Sequence, residues 1–131
     1  MYKNKFIALV DAYRNDEMAL ELIENNMDSL NAYVTAVYAM EVQLQTLRFR
    51  LEGEEYRDAV MTIDRRRRNA HEAAIASCSV LNRIAAMEGV APIYDGDLND
   101  RYQVADFCIA IVEELFKGRT KCTIDELLAE D

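Results

Sequence analysis

An all-α fold, arranged as an antiparallel four-helix bundle with a long third helix and a short C-terminal helix, is what this chain predicts. Three observations predict it. Hydrophobic residues make up 51% of the chain, yet it holds only four Gly and one Pro, which leaves little turn chemistry for a sheet protein. Apolar residues recur at three- and four-residue steps over most of the length. Finally, Glu54 to Glu88 contains neither Gly nor Pro. The 131 residues suffice for one core and not for two. No linker, tandem repeat or low-complexity tract divides them, so residues 1–131 read as a single domain.

In chain order, the first helix is expected from about Asn4 to Glu24, with Phe6, Leu9, Tyr13, Leu20 and Ile23 on one face. Asn25 and Asn26 should end it, because Asn competes for its own backbone and tolerates the left-handed conformation. Asn26 or Asp28 then caps a second helix whose seam is Leu30, Tyr33, Val37, Met40, Leu44, Leu47 and Leu51. Gly53 stops it. A short connection there makes helices two and three antiparallel neighbours, which sets Arg48 near Asp58 and Glu41 near Arg65 and Arg68. The third helix carries Tyr56, Val60, Ile63, Ala70, Ala74, Leu81 and Ile84 on its seam and ends at Gly89, before Pro92. Asp97 or Asn99 caps a fourth helix reaching Lys117. Thr123 to Glu126 form a capping box for a short last helix over Leu127 to Asp131.

A formal net charge of −9 excludes a general nucleic-acid-binding surface, though not a local basic groove. Three cysteines, Cys78, Cys108 and Cys122, lack metal-ligand spacing, and their odd count is no disulfide framework. Cys78 and Cys108 fall in apolar stretches, which points to buried free thiols in a reducing compartment. Met1 to Lys5 lead straight into an amphipathic pattern, so no signal peptide is expected. Apolar runs stay far below the roughly 20 residues of a membrane span. A cytoplasmic protein is the expectation.

The basic centre of the third helix draws the functional question. Arg65 to Arg68 occupy four consecutive positions and cover about 400° of helix, so at least one guanidinium must face inward. Arg66 or Arg67 continues the seam, and Glu41 on the neighbouring helix is placed to neutralise an arginine. His71, the only histidine, follows one turn later. Two uses of this cluster are open. It can form inter-helix ion pairs with Glu41, Asp58, Asp64 and Glu72 around a hydrogen-bonded His71. Alternatively, Arg65, Arg66, Arg68 and His71, with Asn69, can hold a phosphate, a nucleotide or an acidic peptide.

Arg66-Arg67-Arg68-Asn69-Ala70-His71 also resembles the Arg-x4-His motif of the HEPN superfamily, small all-α proteins that include metal-independent ribonucleases of toxin–antitoxin systems. The resemblance implies catalytic roles for Arg66, on the scissile phosphate, and His71, as general acid or base. Arginine is suited to a bidentate phosphate contact, and neutral histidine to proton transfer near pH 7. The chain departs from the family at Arg67, where a small polar residue is usual. The run from Arg65 through Ala85, with Glu113 to Arg119, looks like short uncharacterised helical proteins encoded by gut bacteria, often on mobile elements; that likeness implies no activity.

No metal or cofactor is expected. Asp95 to Asp100 begin like a calcium loop, but Asp100 stands where the sharp turn needs Gly, and Asp106 where a bidentate Glu belongs. Di-iron bundles need Glu-x-x-His, and Arg68 precedes His71 at that spacing. Glu21-x-x-Glu24 and Glu55-x-x-Asp58 resemble the acidic motifs of all-α nucleotide pyrophosphohydrolases, a further alternative that requires the two pairs to converge. The reading favoured by the residues is a non-catalytic interaction or regulatory protein, able to form a homodimer through helix faces, with a HEPN-like ribonuclease as its alternative.

Overall fold

A computed structural model describes residues 2–119 and 123–129, and among them only helices occur. These are α1 (Tyr2–Ala12), α2 (Glu17–Arg50), α3 (Gly53–Met87), α4 (Arg101–Phe116) and α5 (Ile124–Ala129). None is long and apolar enough to cross a membrane.

The first boundary corrects the sequence reading. The break falls at Tyr13–Asn15, where Asp16 takes an extended backbone and its Oδ1 accepts the Ala19 N–H at 3.1 Å. Helix α2 then runs unbroken through Asn25 and Asn26. Asn26 donates its side-chain amide to the Leu22 carbonyl at 2.8 Å, and the Asn25 carbonyl accepts the Ser29 hydroxyl. The reason is one of magnitude. Asn costs a helix at most about 0.7 kcal/mol, whereas each buried Ile23, Met27 or Leu30 contributes about 1.5–3 kcal/mol. Asp100 replaces Asp97 and Asn99 as the cap of α4, accepting from the backbone N–H groups of Tyr102 and Gln103. Thr123 Oγ1 accepts the Glu126 N–H at 3.2 Å, as a capping box requires; Asp131 lies outside the described residues.

Helix α3 is continuous through Asp64 and the four arginines. It folds back on α2 across Leu51 and Glu52, a connection short enough to need Gly53 at φ +62°, where a Cβ is disfavoured. The four-helix enclosure expected along this hairpin is limited by length. Helices α1 and α4 span 11 and 16 residues against 34 and 35 for α2 and α3, so they cover only half of it. The core sits at that covered base, with Phe6, Leu9, Ile23, Met27, Leu30, Leu81, Ile111 and Phe116 fully buried. Beyond Val34 no residue of α2 is buried, and of α3 before Ala74 only Ile63 is. The remainder projects as a two-helix arm.

Polar bonds tie the base together. Glu114 accepts the N–H groups of Tyr2 and Lys3 at 3.2 and 2.8 Å. Burial alone raises its pKa, but hydrogen bonds, these two among them, hold it below the usual carboxylate range. The Tyr13 hydroxyl donates to the Ile84 carbonyl at 2.8 Å. Asn82 clamps the loop after α3, donating to the Tyr94 carbonyl at 2.7 Å and accepting the Tyr94 N–H at 3.0 Å. Within that loop Asp97 accepts the Asn99 N–H, Asp100 caps α4, and Asp95 pairs with Lys5. These acids close turns and caps. Cys78 and Cys108 are buried free thiols, and Cys122 lies outside the described residues.

Candidate functional site

Phase decides which arginine turns inward. Arg67 falls toward the α2 side of α3 and is half-buried, while Arg65, Arg66, Arg68 and Asn69 are exposed. Its Nη2 donates to Glu41 Oε1 at 3.0 Å, and Nη1 lies 3.9 Å from Asp64 Oδ1. Glu41 thus meets Arg67, which lies between the two arginines, Arg65 and Arg68, that its fold-back register indicated. No ion pair among the described residues joins Arg48 to Asp58.

One turn toward the base, the Tyr33 hydroxyl lies 3.1 Å from His71 Nδ1, with the two rings edge to face at 5.9 Å. Tyr33 is buried, and its phenol is raised chiefly by that burial. The His71 imidazole is pushed down from its ordinary value, first by burial and then by the nearby Arg101 guanidinium. Its favoured state is therefore neutral.

Arg67 and His71 share a cleft of about 730 Å³ at the foot of the arm, where α4 begins. Arg68, Arg101 and Tyr102 also line it, with Glu41, Asp64 and Glu72 supplying opposite charge. Two atoms stand out. Among the described residues, Arg67 Nε and His71 Nε2 are buried and have no hydrogen-bond partner, a state that costs about 1–3 kcal/mol for each group.

Arg66 is elsewhere. It lines a shallower groove on the arm with Val42, Leu47 and Ile63. Five helical residues rotate Arg66 and His71 about 140° apart, so the pair read as catalytic from the sequence does not converge on one cavity. The two acidic pairs are also separated. Glu24 is at the base, where its carboxylate accepts the Ile124 N–H, and Glu55 and Asp58 are at the far end of the arm. A helix from Glu24 to Arg50 spans roughly 39 Å, so the pairs cannot share a metal.

Tyr33, Arg101 and Tyr102 were missing from the sequence-based site. Tyr33 reads as one more seam residue, and nothing local signals that the start of α4 closes the cleft.

With this geometry in place, comparison adds a family and no activity. A family model described as "Protein of unknown function (DUF3232)" matches residues 1–121. The chain belongs to that family. No curated protein matches it.

Proposed function

We propose that this member of the DUF3232 family is a non-catalytic binding protein that takes up an anionic group in the cleft at the foot of its arm. The observation that carries this reading is a pair of buried nitrogens, Arg67 Nε and His71 Nε2, unpartnered among the described residues and belonging to two residues that line one cleft. Glu41 engages Nη2 of Arg67, and the Nε–H has no acceptor among the described residues. In the tautomer in which Tyr33 donates to Nδ1, the His71 proton resides on Nε2 and makes it a second donor. A phosphate or carboxylate oxygen satisfies both, and Arg68 and Arg101 add charge at the rim.

A binding role suits these groups better than a phosphodiester cleavage. The arginine and histidine of the Arg-x4-His spacing, Arg66 and His71, are divided between two faces of α3. Self-neutralisation by Glu41, Asp64 and Glu72 also suits a site that is selective and not merely cationic.

Calorimetric titration with inorganic phosphate tests the proposal. Arg67→Lys keeps the charge but removes the planar fork, so phosphate should bind the variant at least about tenfold more weakly, which is ~1.4 kcal/mol. Equal binding by Arg67→Lys and the parent, or no phosphate binding by the parent, overturns it.

A further inference from the structure

The arm carries a second apolar seam along the outer side of α2, with Val42 at its edge beside the α2–α3 groove that Arg66 lines. Tyr38, Val42 and Phe49 are 54%, 63% and 91% exposed. With Gln45 they recur at steps of four, three and four, the spacing of a coiled-coil seam. On the helical wheel they lie about 160° from the inner seam of Met40, Leu44, Leu47 and Leu51. Exposed large apolar residues mark contact surfaces when they are contiguous.

From this seam we infer that the arm pairs with the arm of a second copy of this chain, antiparallel, about a two-fold axis passing between Gln43 and Leu44. The seam matches itself in that register. Tyr38 meets Phe49 of the second copy, Val42 meets its Gln45, and each contact occurs twice. The flanks match as well. On one side Glu41 comes opposite Arg48 of the second copy, an opposite-charge pair. Arg67 Nη2 donates to Oε1 of Glu41, and the Glu41 side chain is 55% exposed, so the carboxylate can accept a second partner from solvent. On the other side Ala39 comes opposite Thr46 of the second copy, and small residues there let the helices approach. Charge complementarity in this single register selects a second copy over a partner of different sequence. The inference does not rest on the cleft reading: Tyr38, Val42, Gln45 and Phe49 lie outside that cleft, and only the flanking Glu41 borders both.

The contact involves one helix from each chain and falls below the ~1,200 Å² of a standard interface, so the dissociation constant should be roughly 10–100 µM. Sedimentation equilibrium of the full chain from low to high micromolar concentration should show mass rising from 15.0 kDa toward twice that value. Phe49→Glu and Arg48→Glu should remain monomeric throughout. Met87→Glu, an exposed site off the arm, should dimerise like the parent, and circular dichroism checks that each variant is folded. In a Cys122→Ser background, chains carrying Tyr38→Cys and chains carrying Phe49→Cys should crosslink on oxidation when mixed, and neither should crosslink alone. A parent that stays monomeric, a Phe49→Glu variant that dimerises unchanged, or crosslinking within either single population overturns the inference.

Discussion

Arg67 Nη2 lies 3.0 Å from Glu41 Oε1, joining the middle of α3 to the C-terminal third of α2 at the level where the core gives way to the arm. Both side chains retain solvent contact, 36% and 55%, so the pair is an exposed bridge in energetic terms. Glu41→Ala should cost only about 0.5–1 kcal/mol in urea unfolding. Arg67→Met, which places a flexible apolar side chain on a seam position, should change stability by less than ~1 kcal/mol. A loss above about 3 kcal/mol for Glu41→Ala would mean that the pair is buried.

His71 gives a pH signature with a definite sign. Its folded pKa is lowered, by burial and by Arg101, so below about pH 6.5 the unfolded chain binds the proton that the folded chain refuses. Stability therefore includes the full His71 contribution above that pH and loses it as pH falls toward the folded value. His71→Gln should flatten this part of the stability–pH curve. A parent curve unchanged by the substitution contradicts the burial of this imidazole.

Asn82 should be the most sensitive polar residue of the base. Asn82→Ala leaves the Tyr94 N–H and carbonyl without the partners they have at 3.0 and 2.7 Å, and each orphaned group costs about 1–3 kcal/mol. Thermal unfolding should show a loss of ~2–4 kcal/mol.

Gly96→Ala tests the same loop from its other end. An added Cβ there would sit 2.6 Å from the Tyr94 hydroxyl and 2.7 Å from Gln103 Oε1. The hydroxyl now donates to the Asp97 carbonyl at 2.7 Å, so relief of the clash breaks a hydrogen bond. A cost of about 1–3 kcal/mol is expected, again by thermal unfolding.

The buried thiols should be inert in the folded chain. The Cys108 thiol is pushed far up by its hydrogen bond with Cys78 and by burial, so it stays protonated and unreactive. A thiol reagent should reach Cys78 and Cys108 only after denaturant is added.

Much of this was legible in the residues, and the misses have physical causes. The long helix from Glu54 was readable because nothing in it breaks a helix, and four arginines in succession forced one inward. Arg66 and Arg67 point about 100° apart, with the seam running between them, and only packing against α2 resolved which one turns in. The Asn25–Asn26 doublet misled because local preference was weighed without the burial of Ile23, Met27 and Leu30, while Asp16, the actual cap, looked like an interruption in an apolar stripe. The cleft could not be read at all in full, because Arg101 and Tyr102 reach it only through the placement of α4.

An anion held by Arg67 Nε and His71 Nε2 must perturb both nitrogens, and side-chain ¹H–¹⁵N NMR observes them directly. Titration with inorganic phosphate should shift both resonances together, along one saturable curve, and leave the amides of Glu54 and Glu55 at the arm's end unmoved. Saturable phosphate binding that leaves both nitrogens unshifted would contradict the account.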